Sequence, residues 1–205
     1  MRVGNSVRKA IDDWEAGELE AAMLHACNAI DGTATKVYPD LLSNNARFTR
    51  LLREHYYILG PMGAPGINLV TTRWPVSVGH PKASGGKPDI ADVVYGVHRC
   101  SHGHGRELPD GFELLQDACG QSPYTSMRIE KGKVQLSDRI IFGLLAVAVM
   151  CPANREQWVP DGYFFTFGPL KLPINEWWGR ASDFPTVAAQ DLGPQVTLDF
   201  ADWMK

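Results

Sequence analysis

The feature that most constrains this chain is its longest apolar stretch, the 12 residues from Ile140 to Cys151. Crossing a bilayer as a helix takes roughly 20 apolar residues, so no transmembrane segment is expected. The run reads instead as an apolar helix from Ile140 to Met150, capped by Ser137-Asp138. The whole chain has 205 residues, one domain's length and enough to bury a core of its own. Its 44% apolar and 21% charged residues exclude disorder, collagen-like repeats and coiled coil as descriptions of the whole. The amino terminus turns polar and acidic where an export signal needs an apolar stretch, so a cytoplasmic location is expected. Cys27, Cys100, Cys119 and Cys151 stand far apart with no Cys-x-x-Cys pair, and read as reduced thiols.

Helical periodicity dominates the first third. From Leu19, apolar residues recur at Ala22, Met23, Ala26, Cys27, Ile30, Ala34 and Val37, the spacing of one buried face, until Pro39 stops the helix. A shorter helix capped by Ser6 is expected before it, running through Trp14 and broken at Gly17. Asn44 or Asn45 is expected to cap a third helix, which carries Phe48, Leu51, Leu52, His55 and Leu59 on one face and ends at Gly60-Pro61. Residues 60–88 contain 11 Gly or Pro and read as a loop or insertion, with Asn68 to Val78 strand-like. Asp89 can then cap a helix through Ile90, Val93, Val94 and Val97. Beyond Pro109 the texture changes to short strands: Phe112 to Leu115, a hairpin from Thr125 to Leu136 turning at Glu130 to Lys133, then Tyr163 to Phe167, Leu170 to Ile174 and Val196 to Phe200.

Charge is uneven along the chain. Net charge is -3, yet residues 36–106 carry nine Lys and Arg against four Asp and Glu, a basic island suited to an anion. Inside it, His98-Arg99-Cys100-Ser101-His102-Gly103-His104 places three of the six histidines in seven residues. An arginine stays charged and can clamp a phosphate, while a histidine exchanges a proton near neutral pH, so Arg99 and His104 form a candidate catalytic pair. Residues five apart on an unbroken helix diverge by about 140°, and Gly103 and Gly105 allow the helix to end between them. A polar helix end with solvated histidines is the plainer alternative. A third alternative is metal, because His98, Cys100, His102 and His104 are all ligand types. A second Arg-x-x-x-x-His, Arg50 to His55, lies within a helix without glycine and reads as structural. No phosphate loop and no Gly-x-Ser-x-Gly elbow is present, and Trp177-Trp178 reads as core or interface.

The early helix Glu20-Ala21-Ala22-Met23-Leu24-His25-Ala26-Cys27-Asn28-Ala29-Ile30, together with a later helix ending in Arg99, four residues and His104 before Gly105, resembles the HEPN superfamily. The resemblance covers roughly residues 18–105. It implies an antiparallel helical bundle, commonly dimeric, and metal-independent endoribonuclease activity of the kind found in toxin and phage-defence systems. On that reading Arg99 holds the phosphate, His104 is the acid/base, Ser101 and His102 add hydrogen bonds to RNA, and no cofactor or metal is required. A protein partner such as an antitoxin is an expectation of the same kind. Superfamily members without effective motif residues act as binding modules, so a non-catalytic module for a protein or nucleotide is the alternative. The expected architecture is mainly α or α+β in one domain. Residues 1–59 and 89–105 form the helical core, 60–88 an insertion, and 106–205 a strand-rich elaboration with helix 137–150.

Overall fold

The computed structural model describes residues 2–103, 105–117, 125–190, 193–200 and 203. The fold is mainly helical, with two small antiparallel sheets. Helix α1 (Val3–Glu15) turns through Gly17, held at φ 82°, into α2 (Leu19–Val37), whose bounds are those its periodicity dictates. Ser6 does not cap α1. It is buried inside the helix, which begins three residues earlier because Val3 packs against Gly32 of α2.

Ser43, rather than an asparagine, caps α3 (Asn44–Glu54) by accepting the Ala46 N–H, and His55 separates it from α4 (Tyr56–Gly63). The helix therefore runs past Gly60-Pro61 instead of ending there. Tertiary packing explains the extension: Gly63 lies so close to Gly143 that a Cβ on Gly143 would stand 2.8 Å from the Gly63 Cα. That contact joins α4 to α7 (Arg139–Met150), ten of whose 12 residues are buried. Being apolar all round, α7 can only occupy the interior, and α1, α2 and α4 pack around it. Asn154 locks this arrangement from the following turn, donating to Thr33 Oγ1 at 2.7 Å and to the Ala148 carbonyl at 2.8 Å.

The stretch from Asn68 to Val78 is not a strand. It is an irregular loop that buries Leu69, Trp74 and Val76, with one parallel bridge from Ile67 to Val196. Asp89 caps α5 (Ile90–Val93) by accepting the Asp92 N–H, and the run continues through a π-helical turn, Val94–Arg99, into α6 (Cys100–Gly103). Val78 of the loop presses on Gly96 in that turn, where a Cβ would meet Val78 Cβ at 3.0 Å. Strands β1 (Arg128–Glu130) and β2 (Lys133–Gln135) pair with Glu130 opposite Lys133, the expected hairpin turn. Strands β3 (Phe164–Phe167) and β4 (Leu170–Pro173) form the second hairpin, followed by short helices α8 (Ile174–Trp177) and α9 (Phe184–Ala188). Of the strand candidate Phe112 to Leu115, only Leu115 makes a bridge, to Ser137, and Val196 to Phe200 contributes only the Val196 bridge. Among the described residues no helix is long and apolar enough to cross a membrane.

Candidate functional site

The π-turn delivers Arg99 to the surface between α2 and α3. Its Nε–H donates to Asp31 Oδ2 at 2.9 Å, and its guanidinium carbon sits 5.5 Å from the centre of the Tyr95 ring. Both terminal NH2 groups lack a hydrogen-bond partner among the described residues. One of them lies against Gly103, the residue that precedes His104 in the chain. Burial pushes the Asp31 carboxyl upward, outweighing the pull of Arg99 in the other direction. Burial also works against the Arg99 charge, and there Asp31 more than offsets it, so Arg99 is firmly cationic. Arg47 of α3 supplies a second positive charge acting on both Asp31 and Tyr95. The Arg47 guanidinium itself donates to Asn44 Oδ1 within α3, so Asp31 pairs directly with Arg99 and feels Arg47 only through space.

The other motif residues are disposed differently. His98 is fully buried with neither ring nitrogen hydrogen-bonded, and desolvation, with His102 beside it, lowers its pKa to about 3, so it is neutral. His102 lies 6.0 Å from it, ring centre to ring centre. The His102 side chain is 5% exposed, with Nδ1 3.9 Å from Glu20 Oε2 and Nε2 unpartnered. Burial depresses its pKa against the opposing pull of Glu20. Ser101 is half-buried, and its carbonyl accepts the Arg106 N–H at 2.9 Å to close the helix end. His104, the expected acid/base, lies outside the described residues, as does Cys119. Cys27, Cys100 and Cys151 are free thiols. Among the described residues no three His, Cys, Asp or Glu side chains gather to hold a metal ion.

The second motif is occupied by local contacts. Arg50 pairs with Glu54 at 2.8 Å and lies over the Tyr38 ring, while His55 Nδ1 is bonded to the Leu51 carbonyl at 2.9 Å. Sequence reasoning did not single out Asp31, Arg47 or Tyr95. The available signal for Asp31 was a carboxylate beside Ile30 at the edge of an otherwise apolar stripe; Arg47 carried none that distinguished it from Arg50 or Arg53.

Fold and site together define a mainly α protein whose helical half carries Arg99, paired with Asp31, at its surface. The chain belongs to the Rv1289 family, which matches residues 2–204. It is similar to the uncharacterized protein Rv1289 of Mycobacterium tuberculosis and to the uncharacterized protein Mb1320 of Mycobacterium bovis. Each is 40% identical over 207 residues, spanning 98% of this chain and 95% of the relative. No solved structure matches the chain.

Proposed function

We propose that the Arg99 face holds a phosphate of RNA and that the protein is a metal-independent endoribonuclease of HEPN type, acting as a toxin or phage-defence effector. The observation that carries this reading is the half-used guanidinium of Arg99, bound through Nε alone, with the charge of Arg47 added beside it. An arginine fixed at Nε presents its two terminal NH2 groups as a fork matched to phosphate oxygens. In the proposed reaction the RNA 2'-oxygen attacks the adjacent phosphorus as His104 accepts its proton. The bond to the 5'-oxygen then breaks, and that oxygen takes a proton, leaving a 2',3'-cyclic phosphate and a 5'-hydroxyl. Ser101, half-buried two residues after Arg99, would add a hydroxyl donor. Two chains meeting near Arg99 would line one cleft with both motifs, and an antitoxin-like partner would cover it.

The test is cleavage of an oligoribonucleotide in excess EDTA. Activity should persist in chelator, yield cyclic-phosphate ends, and be abolished in His104→Ala; Arg47→Gln and Arg99→Gln should weaken RNA binding. Undiminished cleavage by His104→Ala, or loss of cleavage in EDTA, overturns the reading. A monomeric mass by light scattering at micromolar concentration removes the shared cleft.

A second reading is favoured by one observation: Asp31 already neutralises Arg99 in the free protein. It makes the face a non-catalytic module for a nucleotide or protein partner. Binding that depends on Arg47 and Arg99, with no cleavage either in EDTA or with added divalent ions, selects it.

A further inference from the structure

A cavity of about 480 Å³ opens between α1, the start of α7 and β3, apart from the Arg99 face. Its volume is that of a small-molecule pocket. Ile11, Trp14, Met62, Phe142 and Phe165 give it an apolar and aromatic wall, with Trp14 edge-on to Phe142 at 4.8 Å.

Two consecutive residues of opposite charge line this cavity and do not pair with each other. Asp138 is 2% exposed, and a buried carboxylate is ordinarily matched by a cation. Here its bonded donors are neutral: Trp14 Nε1–H at 2.9 Å and the Asp117 N–H at 3.1 Å. Among the described residues no Lys, Arg or His reaches it. Arg139, the first residue of α7, donates Nε–H to the Met62 carbonyl at 3.1 Å, and its terminal NH2 groups meet no carboxylate among the described residues. Glu15, exposed at the cavity mouth, adds a carboxylate with no ion-pair partner among the described residues, whereas Asp117 and Tyr163 are engaged. Asp117 accepts from Ser137 Oγ at 2.6 Å and from Thr125 Oγ1 at 3.0 Å, and the Tyr163 hydroxyl donates to Asp12.

A simple anion would answer Arg139 and leave Asp138 without a counter-charge, and a simple cation would do the reverse. A molecule carrying both charges within a few bonds, with an apolar remainder, answers both and fills the wall. We propose that this cavity binds a free α-amino acid with an apolar or aromatic side chain, its ammonium on Asp138 and its carboxylate on the Arg139 fork. Nothing in this proposal depends on the RNA reading.

The test is calorimetric titration of the full-length chain with L-phenylalanine and L-leucine, against 2-phenylethylamine, which lacks the carboxylate, and 3-phenylpropionate, which lacks the ammonium. At least one amino acid should bind saturably, and both phenyl analogues should bind at least tenfold more weakly than L-phenylalanine. Arg139→Gln should lower L-phenylalanine affinity to that of 2-phenylethylamine and leave the amine's own affinity unchanged. Asp138→Asn should do the converse with 3-phenylpropionate. Because Asp138 also ties down Trp14 and Asp117, that variant counts only if circular dichroism shows it folded, and the analogue series on the unaltered protein decides the matter otherwise. No saturable heat from either amino acid up to millimolar concentration, analogues as tight as L-phenylalanine, or an Arg139→Gln variant with unchanged affinity overturns the proposal.

Discussion

Arg53 and Arg99 bracket the same helical run, one at its capped start and one where its π-turn ends, and they are used in opposite ways. Arg53 grips Asp89 through two bonds, Nε at 2.7 Å and Nη2 at 2.9 Å, and reaches Asp92 at 2.9 Å as well. Both carboxylates are almost wholly buried, and each does a second job: Asp89 caps α5, and Asp92 accepts the Lys82 and Ala83 N–H groups of the incoming loop. Arg99 has one carboxylate, one bond, a tyrosine ring and a second arginine nearby. An arginine outnumbered by acids, as Arg53 is, acts as a structural clamp, because its charge is already more than matched. One such as Arg99, bonded to a single acid through Nε, keeps its terminal NH2 groups clear of other acids among the described residues. By the same criterion Arg139, which meets no carboxylate among the described residues, belongs with Arg99.

The largest expected effect comes from truncating the saturated arginine. Arg53→Met should cost about 3–5 kcal/mol in urea unfolding, since it strands two buried carboxylates. Arg99→Met should cost about 1 kcal/mol or less, as for a partly exposed pair. Equal losses would erase the distinction between the two sites.

Acid titration should separate the two partner acids next. Burial works to raise the Asp89 pKa, but the Arg53 bonds outweigh it and hold the group below its ordinary 3.8. A lowered folded pKa contributes stability that is complete above 3.8 and is lost as the pH falls through the folded value. Asp31 is the reverse: its pKa lies above 3.8, so its ionisation costs stability as the pH rises through the raised value and costs nothing below 3.8. Carboxyl NMR should show Asp31 protonating first, releasing Arg99 while the Arg53 clamp still holds. In Arg53→Met the Asp89 midpoint should move above 3.8, and an unmoved midpoint would mean that Arg53 does not set it.

The smallest effect is expected at Tyr95. Replacing it with Leu removes the ring under Arg99 and should lower stability by about 0.5–1 kcal/mol, seen as a small shift of the urea midpoint with unchanged slope. A loss comparable to that of Arg53→Met would show Tyr95 to be core rather than a support for the arginine.

Much of the helical half was readable before folding. The bounds of α2, the Asp89 cap, the hairpin turn at Glu130 to Lys133 and the interior character of α7 follow from patterns within a few residues, and the structure has each of them. The misses were places where a distant contact overruled the local signal. Ser6 is a good cap that Val3, packed on Gly32, turned into a mid-helix residue. Gly60-Pro61 is a good stop that the Gly63 contact with Gly143 carried two residues further. The alternation in Asn68 to Val78 records burial of Trp74 and Val76 in a loop, which a strand would have produced equally well.

For the site, the sequence by itself determined that residues 98–104 concentrate one arginine and three histidines, because residue type and order are local properties. Which acid meets which arginine was decided by tertiary structure alone. Asp31 and Arg99 are 68 positions apart, and Arg53 and Asp89 are 36 apart. The π-turn that aims Arg99 at the surface and holds His98 in the core forms where Val78 presses on Gly96, across a loop with no regular period. Periodicity encodes which face of a helix is buried, but a charge pair is set by how two buried faces dock, and no spacing within either helix records that.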